Sequence, residues 1–455
     1  MMSQLQQTVA IAGGGLAGLA AGCALADAGY RVRLFERRPY LGGRASSYQH
    51  PGTGEVVDNC QHVLLGCCTN LLDLYKRSGV IDQVRWFEDL NFIEPGGRQS
   101  IIGPSFLPEP LHTSPSFLKA SALSLVDKAA IARAMLSLLR DIPDDGRPFL
   151  DWLKAHGQTQ RAIDRFWNVV LVSALNEDLD RVSTHYAALV FRESFLKSRA
   201  AGRMGIPAVP LTDLYSAAGR YIEERGGEVQ LRASVESFKA DDNGVKICVG
   251  GKEVIADFAV LALPFNVLQQ VLPEEDKSRS LRRMLSRFES SPITGIHLWF
   301  DRKVTALDHA VLLDRTIQWM FNKSQLQGRN DEGSYLELVV SASKSLVEKQ
   351  RQEIIDLAMR ELAEFFPAVA QAKLIKSTVI KEIHATYSPK PGVDVFRPGA
   401  KSDWPRVFLA GDWTATGWPA TMEGAVRGGY MAAEAVAEKK FLVPDLGARG
   451  LMRLF

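Results

Sequence analysis

The pattern of hydrophobic positions at the start of the chain predicts a strand, a helix and a second strand. A short apolar run at 9–11 predicts a buried strand, and a longer apolar stretch over 16–28, ended by Gly29, predicts a helix. Residues 31–36 predict the next strand. Because strands that alternate with helices form parallel sheets, the N-terminus is expected to be a Rossmann-like α/β domain.

Two later segments continue this pattern. Segment 211–264 predicts a helix that ends at 225–227, followed by strands at 229–231, 245–249 and 258–263. Segment 406–410 predicts a strand that leads directly into a Gly-Asp pair. We infer that both segments belong to the same domain as the N-terminus.

The segments between these blocks differ. A proline-rich passage at 103–115 precedes a helical region over 124–196. Further on, alternation predicts strands at 294–300 and 334–341, and a helical period predicts a long helix at 347–366. We therefore expect a mixed α+β domain with a helical cap, inserted into the first domain.

The predicted domains are discontinuous in the chain. The cofactor-binding domain comprises 1–75, 205–275 and 395–441, the substrate-binding domain comprises 76–204 and 276–394, and 442–455 form a C-terminal tail.

Composition excludes several classes of protein. The 455 residues are 46% hydrophobic and 23% charged, which suits a globular protein with a large core. Lys plus Arg total 54 against 52 for Asp plus Glu, so no nucleic-acid partner is expected. The five cysteines are odd in number and follow no metal spacing, so we expect reduced thiols in a cytoplasmic protein. We expect no secretory leader, because the first apolar segment already leads into a glycine motif. No apolar stretch approaches the roughly 20 residues of a spanning helix, so any membrane contact is expected to be peripheral.

The first strand leads into a dinucleotide-binding motif, Gly13-x-Gly15-x-x-Gly18. The first glycine allows a tight turn, the second lets the backbone approach a pyrophosphate, and the third allows close packing of the helix. Leu16 and Ala17 open that helix, whose N–H groups and dipole favour phosphate. We assign these residues to cofactor binding.

An acidic residue and a second glycine turn extend this site. Glu36 ends the second strand, beside Arg37, and would accept hydrogen bonds from an adenosine ribose. The turn that includes Gly43, Arg44 and Ala45 is typical of flavoproteins, because its glycines pass beside a pyrophosphate and its arginine supplies a balancing charge.

Near the C-terminus, Gly411-Asp412 precedes a Met-Glu-Gly-Ala-Val run that starts at Met422. Together the three motifs resemble those of the FAD-dependent amine oxidase and phytoene desaturase superfamily. The resemblance implies FAD as cofactor, with Asp412 at its ribityl or pyrophosphate region. It places Thr421 and Met422 at the pyrimidine edge of the flavin and the backbone of Val235 at the adenine.

Two departures argue against amine oxidation. Thr421 stands where an amine oxidase of this superfamily carries an aromatic residue. The strand region 287–300 also has no lysine, although a lysine recurs there in those enzymes.

Segment 57–70 reads Val-Asp-Asn-Cys-Gln-His-Val-Leu-Leu-Gly-Cys-Cys-Thr-Asn and resembles the squalene-associated flavoproteins, the hydroxysqualene dehydroxylase family. The resemblance implies a polyprenyl substrate and a reaction on the bacterial route to hopanoids. In it, an acid assists loss of the allylic hydroxyl and a flavin hydride quenches the cation. Cys60 stands where the family pattern has glycine, so either the backbone shifts or the thiol lines the site.

Two residues of this segment are candidates for the acid. His62 is preferred, because a histidine with a pKa of about 6.5 donates protons near neutrality. The alternative is that His62 holds a loop by hydrogen bonds. Asp58 is expected to orient His62, to cap backbone N–H groups, or to act directly.

Two kinds of sequence feature bear on the partners of this protein: its nucleotide-binding motif and its apolar segments. A single dinucleotide fingerprint implies that a separate reductase or electron donor reduces the flavin. An apolar cluster could be an entrance that dips into the inner face of the cell membrane, or ordinary core. Its members are Phe106, Leu107, Leu111, Phe117, Leu118, Leu123 and Leu125. The tail at 446–455 is a second interfacial candidate.

Three other functions stay open at this point. An oxidative carotenoid-type desaturase would run hydride in the opposite direction on the same fold, and product analysis separates it from a dehydroxylase. An amine oxidase is the second. The third is an isoprenoid carrier that retains FAD without catalysis, whose flavin would never change redox state.

Overall fold

A parallel sheet is the base on which the chain is arranged. The structure is a computed structural model and describes residues 6–329 and 333–455. In chain order the strands are β1 (Thr8–Ala12), β2 (Arg31–Glu36), β3 (Ser47–Gln49), β4 (Val56–Asp58), β5 (Leu64–Leu65), β6 (Val84–Phe87), β7 (Leu90–Ile93), β8 (Gln99–Ile102), β9 (Met204–Pro207), β10 (Glu228–Leu231), β11 (Val235–Asp241), β12 (Gly244–Val249), β13 (Lys252–Ala256), β14 (Phe258–Leu261), β15 (Ser290–Phe300), β16 (His309–Leu312), β17 (Trp319–Asn322), β18 (Ser334–Ser341), β19 (Leu374–Tyr387) and β20 (Val407–Leu409).

Helices cover both domains. In chain order they are α1 (Leu16–Asp27), α2 (Thr69–Arg77), α3 (Ser114–Lys119), α4 (Leu125–Ser137), α5 (Phe149–Ala155), α6 (Gln160–Ala162), α7 (Asn168–Leu175), α8 (Thr184–Phe191), α9 (Leu211–Glu223), α10 (Phe265–Val271), α11 (Ser278–Leu285), α12 (Lys323–Leu326), α13 (Arg351–Phe365) and α14 (Met422–Ala437).

The parallel sheet has the strand order β10-β2-β1-β14-β20, with every pair parallel. The predicted α/β fold with a parallel sheet is therefore confirmed. Strands β1 and β14 lie at its centre, and their apolar side chains are buried on both faces, as in other parallel sheets. Helices α1, α9 and α14 pack together on this sheet.

A mixed sheet with the order β19-β15-β18-β17-β16-β7-β8 forms the second layer. Strand β15 begins at Ser290 and not at the predicted 294, because its first residues pair with the end of β19. Helix α13 starts at Arg351 and not at 347, because Gln350 and Glu353 form a capping box there.

The predicted helical region contains α4 to α8, with π-helical turns at Ile163–Trp167 and Arg192–Leu196. These helices bury aromatic side chains against one another, including Trp167 and Phe191, whose ring centroids are 4.8 Å apart. No described helix is long and apolar enough to cross a membrane. All strands of the parallel sheet lie inside the three ranges predicted for the cofactor domain, while the boundaries themselves stay a prediction.

Glu423, in the first turn of α14, joins this helix to α2. It is fully buried, and its carboxylate accepts hydrogen bonds from Asn70 Nδ2 (2.9 Å), the Leu71 backbone N–H (2.8 Å) and Arg427 Nε (2.8 Å). Since α2 has no side-chain cap of its own, Glu423 satisfies N–H groups that would otherwise be unpaired. This contact ties the first turn of α14 to the start of α2.

We expect Glu423→Gln to lower the free energy of unfolding by about 3 kcal/mol, because the amide cannot satisfy all of these donors and leaves Arg427 with a weaker partner. Urea unfolding at a fixed FAD concentration measures this change. Glu438→Gln, at the exposed end of the same helix, is the matched control. Equal stability of the two variants would contradict the assignment.

Candidate functional site

A cavity of about 430 Å³ lies at the carboxyl ends of the parallel strands, between the two sheets. In α/β folds this edge is where ligands bind. The predicted site residues that line it are Gly13, Gly15, Leu16, Ala17, Glu36, Arg37, Gly43, Arg44, Ala45, His62, Val235, Gly411, Asp412, Thr421 and Met422. Gly18 and Asp58 are the predicted residues outside the lining.

The first glycine turn has no room for side chains. Gly13 has φ +107°, and a Cβ atom on it would lie 2.4 Å from the carbonyl oxygen of Ala262 on the neighbouring strand. Gly18 packs against this turn from behind, since its Cβ would lie 1.9 Å from the Gly13 oxygen. Its role is thus helix packing, and it does not face the cavity.

Helix α1 points its N-terminus at the cavity. No side chain caps its first turn, and Leu16 and Ala17 line the cavity. The free N–H groups and the helix dipole make this a place for a phosphate group.

The second glycine turn lies directly against the first. The Gly42 N–H donates to the Gly14 oxygen (2.9 Å), and a Cβ atom on Gly43, which has φ +61°, would lie 2.9 Å from the Gly15 Cα. Arg38 Nη1 donates to the Gly43 oxygen (2.8 Å) and holds the turn in place. The two turns together form a backbone cradle that any side chain would fill.

Glu36 holds the edge of this cradle. One of its oxygens accepts from the Gly14 N–H and the other from the Arg38 N–H, each at 2.7 Å. Each oxygen keeps a lone pair, and Glu36 lines the cavity. Val235 lines the adjoining part of the cavity.

Arg44 and Asp412 contact each other in the cavity lining. Arg44 Nη2 donates to Asp412 Oδ1 (2.6 Å), and its Nη1 donates to the backbone oxygen of Ala385 on β19 (2.9 Å). Burial lowers the pKa of Arg44, but Asp412 outweighs it and raises that pKa above its usual value. The two residues that the sequence assigned separately to the cofactor therefore form one ion pair.

The closing motif directs the start of α14 toward the cavity. Thr421 caps the helix, because its Oγ1 accepts from the Gly424 N–H (3.1 Å). Met422 follows, and the Tyr215 hydroxyl donates to its sulfur (3.3 Å). A helix N-terminus at this place favours negative charge on a bound group.

Segment 59–62 forms one wall of the cavity, with His62 in it. His62 Nδ1–H donates to the Cys60 carbonyl (2.8 Å), so Nε2 is the nitrogen that can exchange a proton with a ligand. Burial lowers the pKa of His62 and outweighs Asp58 and the Cys60 carbonyl, which raise it. At neutral pH the imidazole is therefore mostly uncharged.

Cys60 is one of the residues of the same wall. Burial, together with the charges of Glu337 and Asp58, raises its pKa well above the usual value. The thiol therefore keeps its proton.

Asp58 supports the wall from outside the cavity. Its carboxylate accepts from Ser47 Oγ (2.5 Å), the Leu211 backbone N–H (3.2 Å) and Lys323 Nζ (2.6 Å). Burial raises the pKa of Asp58, but Lys323 and the other donors outweigh it and hold that pKa below the usual value. Asp58 caps a backbone N–H group, as one of the alternatives predicted, and makes no hydrogen bond to His62 among the described residues.

Apolar side chains form the far part of the cavity, and most of them come from the mixed sheet and the helical cap. They are Val63, Leu65, Leu90, Phe92, Val169, Val170, Val190, Phe195, Met204, Val267, Ile293, Val311, Trp319, Phe321 and Val339. Such a wall suits a long hydrocarbon.

Glu382, on β19, is a cavity residue that sequence reasoning missed. Among the described residues, none forms an ion pair or a hydrogen bond with its carboxylate. A single glutamate in an alternating strand carries no motif, so only the cavity reveals it. No lysine of the described chain lines the cavity, which agrees with the departure noted at 287–300.

The residues present fit FAD. The glycine cradle and the α1 N-terminus accommodate a pyrophosphate, Glu36 can accept from a ribose, and the α14 N-terminus can stabilise a reduced flavin.

Comparison with known proteins supports the same cofactor. The model of the flavin-containing amine oxidoreductase family matches residues 16–437. The 15-cis-phytoene desaturase of Solanum lycopersicum is 28% identical over 94% of this chain and 77% of its own length. That of Synechococcus elongatus is also 28% identical, over 95% and 96% of the two chains. An oxidoreductase structure from Methanosarcina mazei superposes with a TM-score of 0.73 at 18% identity, over 95% of this chain and all of that one.

The chain therefore belongs to the flavin-containing amine oxidoreductase family, whose cofactor is FAD.

Proposed function

We propose that this FAD-dependent oxidoreductase removes the allylic hydroxyl of hydroxysqualene and gives squalene. The observation that carries the proposal is one cavity in which an apolar wall for a long hydrocarbon adjoins the glycine cradle, with His62 and Glu382 in its lining. The reaction consumes one proton and one hydride per hydroxyl and releases water. FAD, when bound and reduced, supplies the hydride.

The side chains then have separable tasks. The apolar wall excludes water, which would otherwise trap an allylic cation as the alcohol. His62 Nε2 or the Glu382 carboxyl gives a proton to the departing hydroxyl. His62 remains the preferred acid, and Glu382 is the alternative that the structure adds.

A carotenoid-type desaturase is the second candidate, and the curated relatives favour it, since they are phytoene desaturases. Desaturation takes a hydride and a proton from the substrate, so it needs a base where dehydroxylation needs an acid. The resemblance of the segment around His62 to squalene-associated flavoproteins is what favours dehydroxylation. Amine oxidation has less support, because an apolar wall and Thr421 replace an aromatic cage.

We also propose that a separate reductase or diffusing donor reduces the flavin. Dehydroxylation consumes two electrons per turnover, and the described residues hold one dinucleotide-binding glycine motif. The donor therefore has to reach the flavin from outside the chain.

We propose a peripheral membrane contact as well. Of the apolar cluster predicted as entrance or core, Leu123 is buried, whereas Phe106 and Leu125 are 93% and 77% exposed. The C-terminal tail meets this cluster, because the Leu451 N–H donates to the Glu109 oxygen (2.8 Å), and Leu454 in that tail is 79% exposed.

The apolar residues exposed on these two segments form what we call the apolar rim: Phe106, Leu111, Leu118, Leu125, Val126, Leu451, Leu454 and Phe455. The exposed cations Lys119, Arg449 and Arg453 flank it. Apolar groups among cations match a bilayer with anionic headgroups, from which the substrate could pass without crossing water.

The direction of hydride flow tests the function first. The flavin of the purified protein is reduced anaerobically, hydroxysqualene is added, and the oxidised-flavin band and squalene are followed together. We expect both to appear in step. A band that stays bleached without squalene would refute the dehydroxylase, and phytoene would then be added to the oxidised protein. A flavin that responds to neither ligand would favour a carrier.

We expect His62→Ala to keep bound FAD and to lower the rate of squalene formation by about 10²- to 10⁴-fold, the usual contribution of a general acid. Because burial lowers the pKa of His62, its acid form is scarce at pH 7. The rate of the wild-type protein should therefore rise about tenfold for each unit by which the pH falls toward that pKa.

Two variants complete this test. His384→Ala, an exposed histidine on β19, is the control that should keep the wild-type rate. Glu382→Gln separates the two acids: near-normal turnover in His62→Ala with a large loss in Glu382→Gln would move the acid to Glu382.

For the membrane contact, we expect the double variant Phe106→Ser, Leu125→Ser to weaken binding to vesicles by at least about tenfold, since each exposed side chain loses roughly 1.5 kcal/mol or more of burial. Flotation with phosphatidylglycerol-containing vesicles measures this, and neutral vesicles should bind less. Ile255→Ser, an exposed apolar residue of β13, is the control. No flotation of the wild-type protein would exclude the contact.

A further inference from the structure

A cluster of buried charges lies behind the cavity wall at 59–62. Lys323, the first residue of α12, is 1% exposed, and its Nζ donates to Asp58 Oδ2 (2.6 Å) and Gln61 Oε1 (2.8 Å). Gln61 lines the cavity, and its amide donates to the His62 backbone oxygen (3.0 Å). One ammonium group therefore holds the wall from behind.

Glu337, on β18, is the unusual member of this cluster. It is fully buried, and neither carboxyl oxygen accepts a hydrogen bond from the described residues. Lys323 Nζ lies 3.4 Å from Oε2, which makes an ion pair but no hydrogen bond. Burial raises the pKa of Glu337 to about 8, although Lys323 acts against it. The carboxyl group is thus neutral at pH 7.

The other titratable groups around Glu337 are also uncharged. His297 lies opposite it in the β15–β18 register, and burial lowers the pKa of His297 to about 3. Tyr335 contacts His297 Nδ1 through its hydroxyl (2.8 Å), and burial raises the pKa of Tyr335 well above the usual value. Burial keeps the Cys60 thiol protonated in the same way.

The charges of the cluster therefore balance only while Glu337 holds its proton. Lys323 carries one positive charge and Asp58 one negative charge at neutral pH. Loss of the Glu337 proton leaves two carboxylates to share one ammonium group. The Gln61 amide oxygen is the uncharged acceptor of the three, and charge-assisted bonds are about twice as strong as neutral ones. Lys323 has three N–H donors, and its Nζ already lies 3.4 Å from Glu337 Oε2, so the ionised carboxylate would draw the ammonium group toward itself and weaken the bond to Gln61.

We propose that Lys323 is a positioning residue for the cavity wall and that Glu337 controls it: Lys323 holds Gln61, and through it the backbone at His62, only while Glu337 carries a proton. Segment 59–62 is then held in place for FAD binding at neutral pH and is released in alkaline solution.

The test uses Glu337→Gln, which keeps the shape and the neutral state of the acid but cannot ionise. Infrared titration of the wild-type holoprotein should show a protonated-carboxyl band that disappears with a midpoint near the pKa of about 8. Glu337→Gln should lack that band. A band that persists in the variant would assign it to another residue and overturn the proposal.

FAD affinity supplies the second measurement. Followed by quenching of flavin fluorescence, the affinity of the wild-type protein should fall about tenfold between pH 7 and pH 9.5, the change expected when FAD binding shifts one pKa by one unit. Glu337→Gln should bind FAD equally at both pH values. A flat wild-type profile, or the same fall in the variant, would refute the proposal.

Glu361→Gln is the matched control. Glu361 is buried on α13, the helix that packs against the mixed sheet. Its carboxylate accepts hydrogen bonds from the Thr316 and Ile317 N–H groups. Its loss should destabilise the protein without removing the pH dependence of FAD affinity. Neither measurement needs a substrate, so failure of the dehydroxylase proposal would leave this result intact.

Discussion

The close approach of two backbone turns governs this molecule. Gly13 and Gly43 take positive φ values where a Cβ atom would collide with Ala262 or with Gly15. Because no side chain stands between the turns, the N-terminus of α1 stays uncovered and Glu36 can reach the Gly14 N–H. The open helix end, which suits a phosphate group, and the Glu36 edge, which suits a ribose, both follow from this one steric constraint.

Around that cradle two pairs of opposite charges are buried together. Arg44 pairs with Asp412, and Lys323 pairs with Asp58, each at 2.6 Å. An isolated charge at these places would cost several kcal/mol of folding free energy. The other titratable groups behind the wall are therefore uncharged at neutral pH. Glu337 keeps a proton and His297 loses one for the same reason. Burial with few opposite charges nearby therefore sets the pKa values of these two residues.

The sequence predicts those parts of the site that need a particular backbone conformation. Gly13, Gly15 and Gly43 stand in short motifs because turns and helix ends are local, and the parallel sheet follows from local alternation. The cluster behind the wall has no such signal. Lys323 and Asp58 are 265 residues apart, and Glu337 sits in a strand that reads as ordinary core. Only the tertiary fold, in which α12 packs against β18 and Lys323 reaches Asp58 at the end of β4, brings them together.

The same neutrality bears on the direction of hydride flow. An allylic cation is captured by the nearest nucleophile, so a wall that carried a thiolate or a bare carboxylate would compete with hydride for it. Within segment 59–62, Cys60 keeps its proton and the His62 imidazole is mostly uncharged at neutral pH. Both reactions pass through an allylic cation, so this neutrality protects either one. They differ in the proton, because a dehydroxylase needs a donor in the cavity and a desaturase needs an acceptor. The protonation state of His62, more than the apolar lining, would therefore decide which of the two reactions this cavity favours.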